Sequence, residues 1–389
     1  MQSRWAGTME ESMIPREEPA GPRPVLQPRP RQATLLLLVI FLLLLTAGLA
    51  VQSWNLHIGL LATEIGLIAL PTLAACRLGG FRPSTTLAMG SPRPPGWGFS
   101  LRFAAGLGPL ASLTAMALSL PFVLLLIVLG GSYRGVDLPL SGTANVAWTL
   151  AIATIVAPAC EELLFRGFLL RAFLPFGWHA AVWLSAVAFG LFHMDPVRFV
   201  PTALLGLVFG YLAAGSGSIF PSVVAHMVNN GLVLMVAVVF GGASGTDSAA
   251  PAGASYEVMR AQILERLSAS GVGTGGWDPD WIVRATLLAV SIGFLAAGLL
   301  LATCLALLLR FYVGQFGKAG PLTRSPAGGG PAAHGPAAHG PLDRGAPAVA
   351  PAAVPSMAVS RLARDPAAWA LVVIVCIVWI RLLSLYFGS

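Results

Sequence analysis

The chain alternates long apolar runs with short polar segments. The runs approach the roughly 20 residues that a helix needs to cross a bilayer. Nine runs are predicted to be membrane-spanning helices, at about 33–52, 57–76, 103–130, 145–170, 178–194, 198–214, 219–240, 282–310 and 367–387. A bilayer offers backbone groups no water to bind, so the predicted fold is an all-α, polytopic bundle of eight or nine transmembrane helices.

The composition supports this class. Of the 389 residues, 56% are hydrophobic and only 10% are charged, and mean hydropathy is +0.79; soluble proteins carry about a quarter charged residues. The formal charge of +7 does not indicate a nucleic-acid partner, because the arginines lie between apolar runs and in the tails. They predict an integral protein of the inner or plasma membrane with a cytoplasmic amino terminus. The lipid bilayer is thus an expected partner, and the oligomeric state stays open.

Composition shifts divide the chain further. The predicted segments are a disordered cytoplasmic tail (1–32), first membrane helices (33–144), a core of helices (145–240), a non-cytoplasmic loop (241–281), a membrane helix (282–310), a Pro-, Ala- and Gly-rich linker (311–366) and a last membrane helix (367–387). A short amphipathic helix is predicted around Tyr256–Leu267. The last helix is apolar nearly all round and is interpreted as an appended anchor.

Polar residues within the apolar runs are the candidates for function, since an ionisable group inside a membrane is expensive. They are Glu64, Glu161, Glu162, Arg166, His193, His226 and Asn230. All but Glu64 fall between residues 145 and 240. Depth estimates at about 1.5 Å per residue place these core residues in one layer of the bilayer, which favours a single site.

The two adjacent glutamates are predicted to differ. Glu162 and Arg166 lie on one helix face at i,i+4 and are expected to pair. Glu161 lies about 100° away around the helix and lacks that arginine, which suits a general base. The alternative is that both glutamates belong to a helix-packing network. Pro158 cannot donate to the carbonyl of Thr154, so a kink is predicted just before the glutamates.

The histidines and the asparagine come from two other runs. Phe189 lies four residues before His193 and is expected to pack beneath its ring. His226 and Asn230 also share a face at i,i+4, where their donors are suited to an oxyanion. Helix–helix hydrogen bonding would explain this second pair equally well.

Three motifs now carry a resemblance to a known family. Glu161-Glu162-Leu-Leu-Phe-Arg166 matches E-E-x-x-x-R, Phe189 to His193 matches F-x-x-x-H, and His226 to Asn230 matches H-x-x-x-N. Over residues 145–240 the chain resembles the CPBP family of intramembrane proteases: type II CAAX prenyl endopeptidases and bacteriocin-processing, immunity or abortive-infection-like proteins. The resemblance implies that Glu161 and His193 activate water. It also implies that His226 and Asn230 hold the oxyanion, with Glu162 and Arg166 in support.

Metal use stays open at this stage. Zinc is one alternative, with Glu161, His193 and His226 as its ligands. The sequence lacks H-E-x-x-H, and asparagine is an uncommon zinc ligand, so the favoured prediction requires no cofactor.

The predicted function is an intramembrane endopeptidase acting on a membrane-associated, CAAX-like protein or peptide. One alternative is a non-catalytic immunity or scaffold protein of the same fold. Another is a transporter with a proton-coupled carboxylate, for which the expected internal repeat is not evident in the sequence. Glu64 is left unplaced, either lining the cavity or pairing within the bundle.

Overall fold

The fold is known from a computed structural model, which describes residues 27–133, 143–241, 255–271, 275–316 and 355–387. The helices are α1 (Pro30–Trp54), α2 (Leu56–Leu78), α3 (Pro83–Thr86), α4 (Trp97–Val128), α5 (Ala144–Ala172), α6 (Trp178–Phe192), α7 (Phe199–Ser216), α8 (Phe220–Gly241), α9 (Tyr256–Ala269), α10 (Pro279–Gly314), α11 (Pro355–Ala363) and α12 (Pro366–Phe387). The described part of the chain contains no strand, which confirms the all-α prediction.

Eight of the described helices are long and apolar enough to cross a membrane. The exception among the nine predicted spans is α6. It has 15 residues, or about 22 Å of helix, which is shorter than a hydrocarbon core of about 30 Å. It ends at Phe192 instead of the predicted 194, because His193 caps the helix and Met194 adopts a left-handed backbone with φ of 49°.

Close helix contacts bring the core together at small residues. Helix α4 packs against α8 and α10, and α6 packs along α7. A β-carbon at Gly108 of α4 would lie 2.8 Å from Val228 of α8, and one at Gly206 of α7 would lie 2.9 Å from the Cα of Ala186. Only glycine permits these approaches. In a membrane the hydrophobic effect does not drive helices together, so close packing at small residues takes its place.

Two helices near the centre contain three π-helical turns. These turns are Ala62–Ala69 in α2, and Ile152–Val156 and Leu163–Leu169 in α5. Pro158 follows the π-helical turn Ile152–Val156, at the place where the sequence predicts a kink in the helix. Such turns interrupt the regular backbone ladder and are frequent at functional sites.

The last helix is more than an appended anchor. α12 packs beside α1, and Thr34 Oγ1 donates to Asp365 Oδ2 at 2.7 Å where the two helices begin. At its other end, Tyr386 OH donates to Asp195 Oδ1 at 3.0 Å, and Ser132 N donates to the carbonyl of Tyr386 at 2.8 Å. α12 is therefore fastened at both ends to the rest of the bundle.

Two predicted segments are bounded differently in the structure. Helix α10 runs to Gly314 and α11 begins at Pro355, so both ends of the predicted linker 311–366 are helical. The loop 241–281 contains α9, the short helix predicted from the sequence, which packs against α4 and α10. Most of the predicted tail (1–26), the middle of the linker (317–354) and part of the loop (242–254) lie outside the described residues.

Candidate active site

The buried polar residues of α5, α6, α7 and α8 meet inside the bundle. Glu162 Oε1 accepts from Arg166 Nη1 at 2.8 Å, as the i,i+4 spacing predicts, and both side chains are fully buried. Arg166 Nη2 donates to the carbonyl of Gly206 at 3.0 Å, and its guanidinium lies 4.5 Å from the ring centre of Phe189. The buried arginine is thereby paired, hydrogen-bonded and covered by an aromatic face.

Glu162 also holds a histidine, which the sequence did not predict. His226 Nδ1 lies 3.0 Å from Glu162 Oε1, so one carboxylate oxygen serves both Arg166 and His226. The imidazole stacks on Phe209 with ring centres 4.6 Å apart. Glu162 therefore helps to hold α8 against α5, and it orients a candidate catalytic histidine.

Glu161 differs from its neighbour. Its Oε2 lies 3.9 Å from His226 Nε2, beyond hydrogen-bond range, and this buried oxygen has no hydrogen-bond partner. The side chain is 13% exposed, whereas that of Glu162 is not exposed at all. The two glutamates thus differ in their contacts: Glu162 is held by Arg166 and His226, and Glu161 makes no hydrogen bond within the described chain.

His193 is held by its own helix. Its Nδ1 lies 2.8 Å from the carbonyl of Phe189, and the two rings meet edge to face at 4.7 Å. A carbonyl only accepts, so Nδ1 carries the proton and the neutral ring presents a lone pair at Nε2. The same Phe189 ring lies 5.6 Å from His226, so it contacts both histidines. The predicted F-x-x-x-H pair is therefore a packing unit that orients both imidazoles.

The loop after His193 is fixed from a distant part of the chain. Asp195 Oδ1 accepts from the backbone N–H groups of Val197 and Arg198, at 3.0 and 3.2 Å, and from Tyr386 of α12. Helix α12 thus stabilises the loop that follows α6 and His193. Sequence reasoning missed this contact, which joins residues 191 positions apart.

Asn230 belongs to a series of side chains that are joined by hydrogen bonds. Ser112 Oγ donates to Asn229 Oδ1 at 2.8 Å, Asn229 Nδ2 donates to Asn230 Oδ1 at 2.9 Å, and Asn230 Nδ2 donates to the carbonyl of Ala153 at 2.8 Å. Ala153 lies in a π-helical turn of α5. The amide nitrogen has two hydrogens, so Asn230 retains one donor beyond the bond to Ala153. Asn229 and Ser112 were not predicted, although an amide in an apolar helix is itself a signal.

Glu64 belongs to the same neighbourhood. It is buried on α2, its Oε2 has no hydrogen-bond partner, and it is near enough to Glu161 and Cys160 to interact electrostatically. The π-helical turn that carries it packs against α5. The sequence left this residue unplaced; in the structure it is a second buried carboxyl group with an unpartnered oxygen, and it interacts electrostatically with Glu161.

The residues considered as ligands in the zinc alternative are not grouped as a metal site in the structure. Among the residues that the structure describes, no three His, Cys, Asp or Glu side chains are grouped so that they could hold one metal ion. His226 also directs Nδ1 to Glu162, and its Nε2 is the nitrogen nearest Glu161. We therefore derive no step of the chemistry through a metal.

The fold and this cluster define a polytopic helical membrane protein with a buried site of glutamate, histidine and asparagine. Residues 143–232 match the model of one family, the type II CAAX prenyl endopeptidase Rce1-like proteins, which confirms the resemblance drawn from the three motifs. The match supports a CAAX-type intramembrane protease at the level of the family. No curated protein and no solved structure matches the chain.

Proposed function

We propose that the chain is an intramembrane endopeptidase that hydrolyses a peptide bond with water activated by Glu161 and His193. The observation that carries this proposal is the contrast between the adjacent glutamates. Glu162 accepts through Oε1 from Arg166 and His226, although its Oε2 lacks a partner; Glu161 makes no hydrogen bond within the described chain, and its Oε2 lies 3.9 Å from His226 Nε2. A packing network would use both carboxylates; a hydrolase needs one of them free to take a proton.

The first step is attack by water on the scissile carbonyl carbon. Glu161 removes a proton from the water while the lone pair at His193 Nε2 accepts its second hydrogen as a hydrogen bond. The new C–O bond makes a tetrahedral intermediate, and the carbonyl oxygen becomes an oxyanion. General-base assistance of this kind contributes typically 10²–10⁴-fold to the rate.

The oxyanion is assigned to Asn230 and His226. The second hydrogen of the Asn230 amide is one donor. Nε2 of His226 is the other in the imidazolium form, in which Nδ1–H donates to Glu162. When the C–N bond breaks, Glu161 returns its proton to the departing amine, so that atoms and charge balance. Preorganised donors of this type are each worth about 10²–10³ in kcat.

The proposed substrate is a membrane-associated protein or peptide, with a prenylated CAAX-like terminus as the first candidate because of the matched family's description. The site lies within helices of membrane-spanning length, so the substrate must approach from the bilayer or its surface. The positive-inside pattern favours access from the cytoplasmic side.

The test is turnover by purified full-length protein in proteoliposomes, with a prenylated CAAX-type peptide and an unprenylated control. Glu161→Ala is expected to abolish cleavage, while Glu265→Ala, which removes an exposed carboxylate on α9, leaves cleavage unchanged. Comparing peptides that accumulate in cells carrying each variant extends the test to unknown substrates. An unchanged phenotype with Glu161→Ala would indicate an immunity or scaffold protein instead.

The same assay tests metal dependence. A zinc chelator is expected to leave cleavage intact, because Glu161 and His193 suffice to activate water. Loss of cleavage with recovery on added zinc would assign the two histidines to a metal and overturn the metal-free mechanism.

A further inference from the structure

A basic cavity lies where the first and last membrane helices begin, away from the candidate active site. Its volume is about 650 Å³, and it opens among α1, α11, α12 and the turn after α5. Its charged lining consists of Arg29, Arg31, Arg361, Arg364 and Asp365. Four guanidinium groups against one carboxylate give this cavity a strong excess of positive charge.

The one carboxylate is already committed to the fold. Asp365 Oδ2 accepts from Thr34 Oγ1 at 2.7 Å, and Asp365 Oδ1 accepts from the backbone N–H of Ala367 at 3.1 Å. Within the described chain, no salt bridge joins Asp365 to any of the four arginines. All four side chains are exposed to solvent, so their donors are available to a ligand.

The backbone adds to the positive potential. Helix α1 begins at Pro30 and α12 begins at Pro366, and both residues line the cavity. Each helix has at least 22 residues and directs the positive end of its dipole toward the same space. Asp365 caps the start of α12, where it accepts from the N–H of Ala367, whereas the first turn of α1 contains no acidic residue.

We propose that this cavity binds a phosphate-bearing anion, supplied by the headgroup of an anionic phospholipid at the membrane surface. Arginine forks match the oxygens of a phosphate group, and four of them surround one space. The cavity lies at the start of two membrane helices, which is the level of lipid headgroups. Positive-inside orientation puts it on the cytoplasmic leaflet, where anionic lipids are concentrated. A bound lipid would join α1 to α12, the two helices at the ends of the chain.

The ligand chemistry has two sources, a lipid headgroup and free phosphate, and one experiment separates them. Native mass spectrometry of the full-length protein in neutral detergent would give the affinities for phosphatidylglycerol and phosphatidylcholine with the same acyl chains. The wild type is expected to bind one phosphatidylglycerol at least about tenfold more tightly than phosphatidylcholine, because only the former carries net negative charge.

Paired variants make the test specific to the cavity. R361Q/R364Q is expected to weaken phosphatidylglycerol binding on the order of tenfold and to leave phosphatidylcholine binding unchanged. The control R77Q/R82Q removes the same charge from exposed arginines that do not line the cavity, and should keep the preference. If R361Q/R364Q does not fold, R29Q/R31Q removes two guanidinium groups from the α1 side instead.

The outcomes are decisive. If R361Q/R364Q and R77Q/R82Q lose phosphatidylglycerol affinity equally, the lipid responds to overall surface charge and the proposal is overturned. The proposal is also overturned if both cavity variants keep the wild-type preference for phosphatidylglycerol. Release of the lipid by millimolar inorganic phosphate would support a site for the phosphate group from either source. A lipid retained against phosphate, but lost in R361Q/R364Q, would support the headgroup as the source. Peptidase activity is not needed for any readout.

Discussion

The two sides of the buried polar cluster differ in how fully their groups are paired. On the paired side, Glu162 binds Arg166 and His226, and Arg166 also binds the Gly206 carbonyl. On the open side, Glu161 and Glu64 each have a buried oxygen without a hydrogen-bond partner. Residues of both sides are buried or nearly so, with Glu64 8% and the Glu161 side chain 13% exposed, so burial alone does not distinguish the two sides. The two sides differ in the number of hydrogen-bond partners that each residue has. Residues with several partners hold the helices together, whereas a carboxyl group without partners can react.

The cost of leaving groups unpaired explains why the contrast is informative. A buried polar atom without a partner costs about 1–3 kcal/mol, and more when it is charged. Glu162 Oε2 and Arg166 Nε also lack a partner, but both residues are hydrogen-bonded through their other atoms, whereas Glu161 and Glu64 make no hydrogen bond within the described chain. Sites that carry such a cost are commonly sites of function, since a group satisfied within the protein has nothing left for a substrate.

Glu162→Gln is expected to have the largest effect on stability, and it tests the difference between the paired and the open side. Removing one partner of a buried ion pair leaves Arg166 uncompensated and should cost about 3–5 kcal/mol. We expect a much lower thermal midpoint in detergent, together with loss of activity because His226 loses its anchor. Glu161→Gln should leave the thermal midpoint near that of the wild type.

The matched control for this prediction removes both charges. E162M/R166M replaces the pair with apolar side chains of similar size and should recover much of the lost stability, but not the activity. If Glu161→Gln destabilises the fold as strongly as Glu162→Gln, the distinction between a paired and an open side is wrong.

Asn230→Ala tests the amide of α8 that donates to the carbonyl of Ala153 in α5. Its loss should reduce kcat by about 10²–10³ with a small change in KM, because the amide is assigned to the oxyanion. Thermal stability should fall by only about 1 kcal/mol for the lost bond to Ala153. Steady-state kinetics with one CAAX-type peptide gives both parameters.

Asn229→Ala is the neighbouring control. It breaks the chain from Ser112 to Asn230 without removing the proposed oxyanion donor. We expect a smaller fall in kcat, roughly tenfold, from imperfect positioning of Asn230. Equal losses in the two variants would argue that Asn230 also acts through structure alone.

Features that repeat along a helix were predictable from the sequence. The apolar runs gave the membrane helices to within a few residues at most ends, and the i,i+4 rule gave the Glu162–Arg166 pair and the Phe189–His193 contact. These contacts are local, so helix geometry alone determines which side chains can meet. The three motifs then indicated a family that the match over residues 143–232 supports.

Features that depend on how helices dock were not predictable. The bond from His226 to Glu162 spans 64 positions, and that from Tyr386 to Asp195 spans 191. Helix periodicity gives the face of a residue, but not the helix that the face meets. The i,i+4 rule assigns Glu162 one partner, whereas a carboxylate oxygen can accept from more than one donor.

The smallest expected effect comes from Glu64→Gln, and it tests how far the open side extends. Glutamine keeps the shape of Glu64 and removes a carboxyl group that interacts electrostatically with Glu161. If only Glu161 takes the proton from water, cleavage should stay within a few-fold of wild type. Stability should change little, because the glutamine amide is as buried and unpaired as the carboxyl group that it replaces. Thr63→Val is the neighbouring control, since it removes the hydrogen bond from Gln52 and should lower stability without changing turnover.

A loss of cleavage as deep as that of Glu161→Ala would mean that both carboxyl groups touch the reacting atoms, and the open side would then be a pair of acids that share the proton.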